Sequence, residues 1–130
     1  IFDAVDTVKM CLTAFTPMIE TMKTIPENMR KAAAHGFINA TDCADYLVKK
    51  GLPFRDAYKA TGTLVALCIE KGLTLETLPI EEYKKICDTF DEGVYDAISL
   101  ENCVNGRKVL GGPAPENVKA QVKRVREIIA

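Results

Sequence analysis

Residues 36–62 of the chain read GFINATDCADYLVKKGLPFRDAYKATG, and this stretch decides the fold. The pattern predicts a capped helix, a tight stop, and a second helix that follows at once. Asn39, Thr41 and Asp42 carry side-chain oxygens that can accept hydrogen bonds from the free N–H groups at a helix start. Residues 46–48 supply the apolar surface through which this first helix packs.

The stop between the two helices is predicted at Gly51. Glycine adopts the left-handed conformation that commonly follows the last residue of a helix. Pro53 can begin the second helix, because the first N–H groups of a helix have no intrahelical partner. We expect this helix to span residues 53–71 and to end at Gly72. Gly62 inside it indicates close contact with a neighbouring helix, since glycine costs about 1 kcal/mol there relative to alanine.

An apolar heptad pattern precedes this stretch and runs through residues 1–24. Its positions alternate at spacings of four and three residues: Ile1, Val5, Val8, Leu12, Phe15, Ile19 and Met22. This spacing predicts a long helix whose wide apolar face is buried against other helices. Pro17 lies within the pattern and is expected to kink the helix or to split it. Pro26 then begins a short helix that Gly36 ends.

The part of the chain that follows residue 72 shows further short helical patterns. They are predicted to start near Pro79, Asp91, Ser99 and Pro115. Gly111 and Gly112, followed by proline, break the chain and predict a turn in which backbone segments approach closely. No segment of the sequence alternates with period two over a sustained length. The predicted fold class is therefore all-α.

Length and composition limit the function classes. The 130 residues suit one domain or part of a larger protein, and 48% of them are hydrophobic. A formal net charge of −1 argues against non-specific nucleic-acid binding. No apolar run approaches the roughly 20 residues that span a bilayer, so a membrane partner is not expected. The five cysteines are odd in number and include no CxxC pair, which favours reduced core thiols in a cytoplasmic protein.

Candidate chemical groups are few and are not arranged as a recognisable active site. His35 is the only histidine, and its place beside a predicted helix end favours a capping or solvent-facing role. Ser99 is better explained as a helix cap than as a nucleophile. Asp42 and Asp45 share one helix face, yet a cap beside a solvated charge explains them more simply than acid–base catalysis. Arg107 could bind an anion, although a solvated surface position is the simpler interpretation.

Cofactor and metal motifs are also missing from the sequence. The glycines at 106, 111 and 112 do not form a phosphate-binding loop, because no GxxxxGK[ST] or GxGxxG pattern follows a strand. The acidic group at 88, 91 and 92 lacks the glycine and terminal glutamate of a calcium loop. We therefore predict no cofactor and no metal.

Two long motifs nevertheless resemble one enzyme family. Residues 39–62, NATDCADYLVKKGLPFRDAYKATG, resemble the C-terminal domain of argininosuccinate lyases, whose pattern is close to ATDLADYLVRKGLPFREAH. Residues 94–122, VYDAISLENCVNGRKVLGGPAPENVKAQV, resemble the ending of the same family, with its SxENSVxxR and GGTAP elements. Residues 1–11 resemble the segment just after the family's YxxDLQEDK motif. We call residues 39–62 the first motif and residues 94–122 the second motif.

The resemblance implies a parent enzyme of the fumarase/aspartase superfamily, which eliminates arginine from argininosuccinate and leaves fumarate in arginine biosynthesis. It further implies a cytoplasmic homotetramer built on a central bundle of long helices. Residues 1–25 would form the C-terminal part of one bundle helix, and residues 26–130 the small multi-helix C-terminal domain.

The resemblance transfers no catalytic or substrate-binding residue to this chain. The family's catalytic histidine region, its GSSxMPxKxNP loop and its YxxDLQEDK motif have no counterpart in the 130 residues. The isolated chain is therefore predicted to be inactive, and its motif residues are assigned structural roles: Thr41, Asp42, Gly51, Pro53, Arg55, Gly111 and Gly112. Two alternatives stay open, a non-enzymatic helical interaction module that assembles through residues 1–24, and an inactive relative such as a lens crystallin.

Overall fold

The computed structural model describes residues 1–129, and within them it contains helices and no strand. In chain order the helices are α1 (Phe2–Thr21), α2 (Pro26–Ala34), α3 (Ala40–Lys49), α4 (Phe54–Lys71), α5 (Ile80–Ile86), α6 (Gly93–Ala97), α7 (Leu100–Asn105) and α8 (Pro115–Ile129). The all-α prediction is confirmed. Among the described residues, no helix is both long and apolar enough to cross a membrane.

The chain divides into two compact units, of which the first covers Ile1–Ala32. Its main element, α1, is one continuous helix with Pro17 inside it, so of the two alternatives for this proline the split is wrong and the kink stays a prediction. No residue of α1 is buried, and the heptad positions are open to solvent, with Leu12 62% and Phe15 57% exposed. Cys11 is exposed as well, contrary to the core position expected for it.

The second unit begins at Ala33 and contains the hydrophobic core. Helix α3 packs against α4 and α6, α4 also packs against α5, and α6 packs against α7. The side chains of the main core cluster come from all of these helices except α7 and from the connections between them. They are Cys43, Ala44, Leu47, Ala57, Leu64, Cys68, Leu75, Leu78, Tyr83, Phe90, Val94 and Ile98. This burial supplies the main favourable free energy of folding.

Two tyrosines fix the connection between α4 and α5 to the core. The hydroxyl of Tyr83 donates to the carbonyl of Leu75 at 2.6 Å, and that of Tyr95 donates to the carbonyl of Leu78 at 2.6 Å. Each bond satisfies a loop carbonyl and a tyrosine hydroxyl that packing removes from water. Burial raises the pKa of Tyr83 well above its usual range, so this phenol stays protonated and keeps donating.

Helix α3 ends as the sequence predicts. Gly51 has φ +99°, its N–H donates to Val48 at 2.9 Å, and the N–H of Leu52 donates back to Leu47 at 3.1 Å. This pair of bonds is the Schellman arrangement, which satisfies carbonyls at a helix C-terminus. Pro53 takes the N-cap position of α4, which begins at Phe54, one residue after the predicted start.

Gly62 differs from the sequence prediction. It lies within α4, and a Cβ atom built there meets nothing within 4 Å. The expected close helix contact at this position is therefore wrong. The glycine carries a cost in helix stability that no tertiary contact requires.

We expect Gly51→Val to lower the free energy of unfolding by about 1–2 kcal/mol, because a β-branched residue is strained at positive φ. Gly62→Ala is the matched control and should raise stability by about 0.5–1 kcal/mol, since it improves helix propensity in open space. Urea unfolding followed by circular dichroism measures both. Unchanged stability in the Gly51 variant would contradict the conformation described for that residue.

Candidate functional site

The first and second motifs meet at one cavity in the second unit. The cavity has a volume of about 550 Å³ and polar walls formed by α3 on one side and by α6, α7 and the residues after α7 on the other. Its lining residues are Asp42, Asp45, Tyr46, Lys49, Asp96, Ala97, Asn102, Cys103, Gly106 and Arg107. Both motifs line this polar cavity, which is therefore the candidate site.

An ion pair between Asp42 and Arg107 joins the two motifs directly. The guanidinium donates from Nη1 and Nη2 to the two carboxylate oxygens at 3.1 and 3.0 Å, in a bidentate fork. Nη1 also donates to the carbonyl of Cys103. The carboxylate side chain is only 19% exposed, and its hydrogen bond raises the pKa of Arg107 further above its usual value. The pair therefore fastens the end of α7 to the first turn of α3.

This geometry corrects two sequence interpretations. The sequence favours a helix cap for Asp42 and a solvated surface cation for Arg107. Each instead neutralises the other across 65 positions of the chain. Asn39 takes the N-cap position of α3, but its side chain does not cap the helix. Its amide is directed into the core and donates to the Ile98 carbonyl instead.

Asn102 braces the opposite wall of the cavity. Its side-chain nitrogen donates to both the backbone carbonyl and the Oδ1 atom of Asp96, each at 2.8 Å. The N–H of the same residue donates to the Ser99 hydroxyl at 3.3 Å, which confirms Ser99 as the cap of α7. The asparagine thus holds α6 and α7 together at the edge of the cavity.

A second charged cluster lies beside the cavity and shares Tyr46 with it. Asp91 accepts from the Tyr46 hydroxyl at 2.5 Å, from the backbone N–H of Gly93 at 2.9 Å, and from the ammonium of Lys50. The ammonium also lies 4.8 Å from the centre of the Tyr46 ring. These bonds, led by the one from Lys50, hold the pKa of Asp91 well below its usual range. The cluster ties the C-terminus of α3 to the loop before α6.

The cavity contains neither a histidine nor a reactive thiolate. Its only thiol is Cys103, whose pKa is raised to about 11 by burial and by the neighbouring Asp42 carboxylate, so the thiolate nucleophile is scarce at neutral pH. No histidine lines it, and the exposed His35 lies outside it. No group of three or more possible metal ligands occurs among the described residues. The contacts that are made here join structural elements: the Asp42–Arg107 ion pair connects the two walls of the cavity, and the Asn102 hydrogen bonds connect α6 with α7.

The remaining residues singled out in the sequence lie away from the cavity. Thr41, Pro53 and Arg55 are exposed on the surface of α3 and α4. Gly111 has φ +81°, and a Cβ atom at Gly112 would overlap the carbonyl oxygen of residue 107. The predicted close approach of backbones at this turn is therefore confirmed.

Sequence reasoning missed Asn39 as a tertiary contact. Its side-chain nitrogen donates to Glu76 Oε1 at 2.6 Å and to the Ile98 carbonyl at 3.0 Å, and the residue is 4% exposed. It therefore links the start of α3 to the α4–α5 connection and to the end of α6. The only sequence signal was its polar side chain just before an apolar helix, which equally predicts a cap.

Fold and cavity together define a small helical domain whose two sequence motifs are joined by an ion pair. A family model described as "Argininosuccinate lyase C-terminal" matches residues 37–105, which include the whole first motif and residues 94–105 of the second. The chain belongs to this argininosuccinate lyase C-terminal family.

Curated relatives agree with this assignment over nearly the whole chain. The argininosuccinate lyase of Acetivibrio thermocellus is 56% identical over 123 residues, which are 95% of this chain and 27% of the relative. Those of Heliobacterium mobile and Ruminiclostridium cellulolyticum are each 52% identical, over 98% and 100% of this chain. The chain spans only about 28% of the length of these two relatives.

Proposed function

We propose that the chain is the C-terminal structural domain of an argininosuccinate lyase. The complete enzyme cleaves argininosuccinate to arginine and fumarate by β-elimination of the C–N bond. The observation that carries this proposal is the 56% identity to the Acetivibrio thermocellus argininosuccinate lyase over 95% of the chain. Identity at this level along both motifs supports the same domain in the same kind of enzyme.

Within this proposal the two parts of the chain have different tasks. Residues 1–25 form the C-terminal end of a central-bundle helix, and residues 26–130 form the accessory domain. The exposed heptad stripe of α1 supports the first assignment, because an apolar surface of this width is normally covered in an assembly. The complete protein is accordingly a homotetramer in the cytoplasm, assembled through its long helices.

The accessory domain acts through its rigidity. The Asp42–Arg107 fork and the turns at Gly51 and Gly112 fix the angles between its helices. Thr41, Pro53, Arg55 and Gly111 complete the set of positions with proposed structural roles. The domain thereby holds the helix that precedes it in place, while substrate contacts come from other parts of the complete enzyme.

A chimeric enzyme tests the proposal. The matched 123 residues of the Acetivibrio thermocellus enzyme are replaced by those of this chain, and fumarate release from argininosuccinate is followed by absorbance. We expect the chimera to retain cleavage within about tenfold of the unaltered enzyme, because only a structural domain is exchanged. The isolated chain should release no fumarate.

The control for the chimera is Leu64→Arg, which buries an unpaired charge at a fully buried position and should abolish activity by unfolding the domain. A chimera that folds and assembles but does not cleave argininosuccinate would contradict the proposal and favour a helical interaction module. Fumarate release by the isolated chain would contradict the assigned absence of catalytic residues.

A further inference from the structure

The cavity between the two motifs contains charges that the fold does not neutralise. Asp42 and Arg107 satisfy each other, and Asp96 keeps one carboxylate oxygen beyond its bond to Asn102. Asp45 and Lys49 line the same cavity, are exposed, and form no ion pair or hydrogen bond within the described part of the chain. The fold therefore leaves an anionic and a cationic group free at one concave site.

The charged groups come from both walls of the cavity. Asp45 and Lys49 are four positions apart on α3, so they share one helix face one turn apart. Asp96 lies on the facing wall, at α6. Three carboxylates and two cations line the cavity in total, which leaves one negative charge uncompensated.

This charge pattern selects among possible ligands. A simple anion meets a net negative wall, and a bare divalent cation meets Lys49 and Arg107 beside the carboxylates. A small molecule with one carboxylate and two cationic groups matches every free charge. The volume of about 550 Å³ lies within the range of small-molecule sites and exceeds the needs of such a ligand.

We propose that the cavity binds a small basic α-amino acid. Lys49 receives the ligand's carboxylate, Asp45 its α-ammonium group, and Asp96 its side-chain cation. The Asp42–Arg107 fork joins the two walls that carry these groups. This binding is a property of the domain itself and is independent of the lyase chemistry proposed for the complete enzyme.

Nuclear magnetic resonance on the 130-residue chain tests this site with lysine as the probe. Lysine should shift the amide signals of residues that line the cavity, and the shifts should saturate with a dissociation constant near or below about 1 mM. Cadaverine, which is lysine without its carboxylate, and glutamate, which has the opposite net charge, should each bind about tenfold more weakly. Added salt should weaken lysine binding, because the groups involved are exposed.

Variants at exposed positions assign the roles. Asp45→Asn should weaken lysine binding about tenfold, and Lys49→Gln should remove the advantage of lysine over cadaverine. Glu70→Gln, on the exposed face of α4, is the matched control and should leave binding unchanged. Absence of saturable shifts up to about 10 mM lysine, or equal binding of lysine and glutamate, would overturn the proposal. Unchanged lysine binding in the Asp45 variant would also overturn it.

Discussion

Phe90→Ala is expected to lower the free energy of unfolding by about 3–5 kcal/mol. Phe90 is 1% exposed and lies at the centre of an aromatic cluster. Its ring centre is 5.0 Å from that of Tyr83, edge to face, and 6.3 Å from that of Tyr46, nearly parallel. Alanine removes these contacts and leaves a cavity that the surrounding helices cannot fill.

Urea unfolding, monitored by far-ultraviolet circular dichroism, measures this loss. Phe90→Leu serves as the matched control, since it keeps an apolar side chain of intermediate size and should cost clearly less. Because a domain of this size has a total stability of about 5–15 kcal/mol, the alanine variant is expected near the limit of folding. A loss below about 1 kcal/mol would show that the aromatic cluster is not part of the core.

Asn39→Asp is expected to lower the free energy of unfolding by about 3 kcal/mol or more at neutral pH. The substitution removes the amide that donates to Glu76 and to the Ile98 carbonyl. It also places a buried negative charge against another carboxylate and a carbonyl oxygen. Both acceptors are left without their donor, and the like charges repel each other.

The pH dependence of the Asn39→Asp variant distinguishes the effect of the new charge from the effect of the lost hydrogen-bond donor. The deficit should shrink as the pH is lowered toward 4, because the new carboxyl group then becomes protonated and can donate a hydrogen bond. Asn39→Ala is the control, since it lacks the new charge and should lose about 1–3 kcal/mol at every pH in that window. An aspartate variant as stable as the parent at neutral pH would show that the Asn39 bonds do not contribute to the fold.

The aromatic cluster around Phe90, the Asn39 hydrogen bonds and the Asp42–Arg107 fork stabilise the domain in different ways. The aromatic cluster supplies buried apolar area without directional preference. Asn39 and Arg107 add directional bonds that tie α3 to segments which follow it by 59 and 65 positions. Helix α3 lies within the first motif. Residues of the motif that resembles the family are therefore also the ones that bind the later segments of the chain to α3.

Several features of the chain follow from its sequence because they depend on near neighbours. Gly51 and Gly72 end their helices at positive φ, and Ser99 caps α7, at the positions that the pattern predicts. Helical periodicity likewise identifies the all-α class, since a buried face repeats along the same segment that forms it. The close turn at Gly112 belongs to the same group, because the contacting carbonyls lie within a few residues.

Only the tertiary structure decided which polar residues act together. Asp42, Arg107 and Asn39 each had a plausible local role as a cap or a solvated charge, and the fold gave each a partner from a distant segment. The sequence could not show either that a Cβ atom at Gly62 has no neighbour within 4 Å. The physical reason is that a side chain's local options are fixed by its own backbone, while a long-range hydrogen bond depends on how the apolar faces of several helices pack.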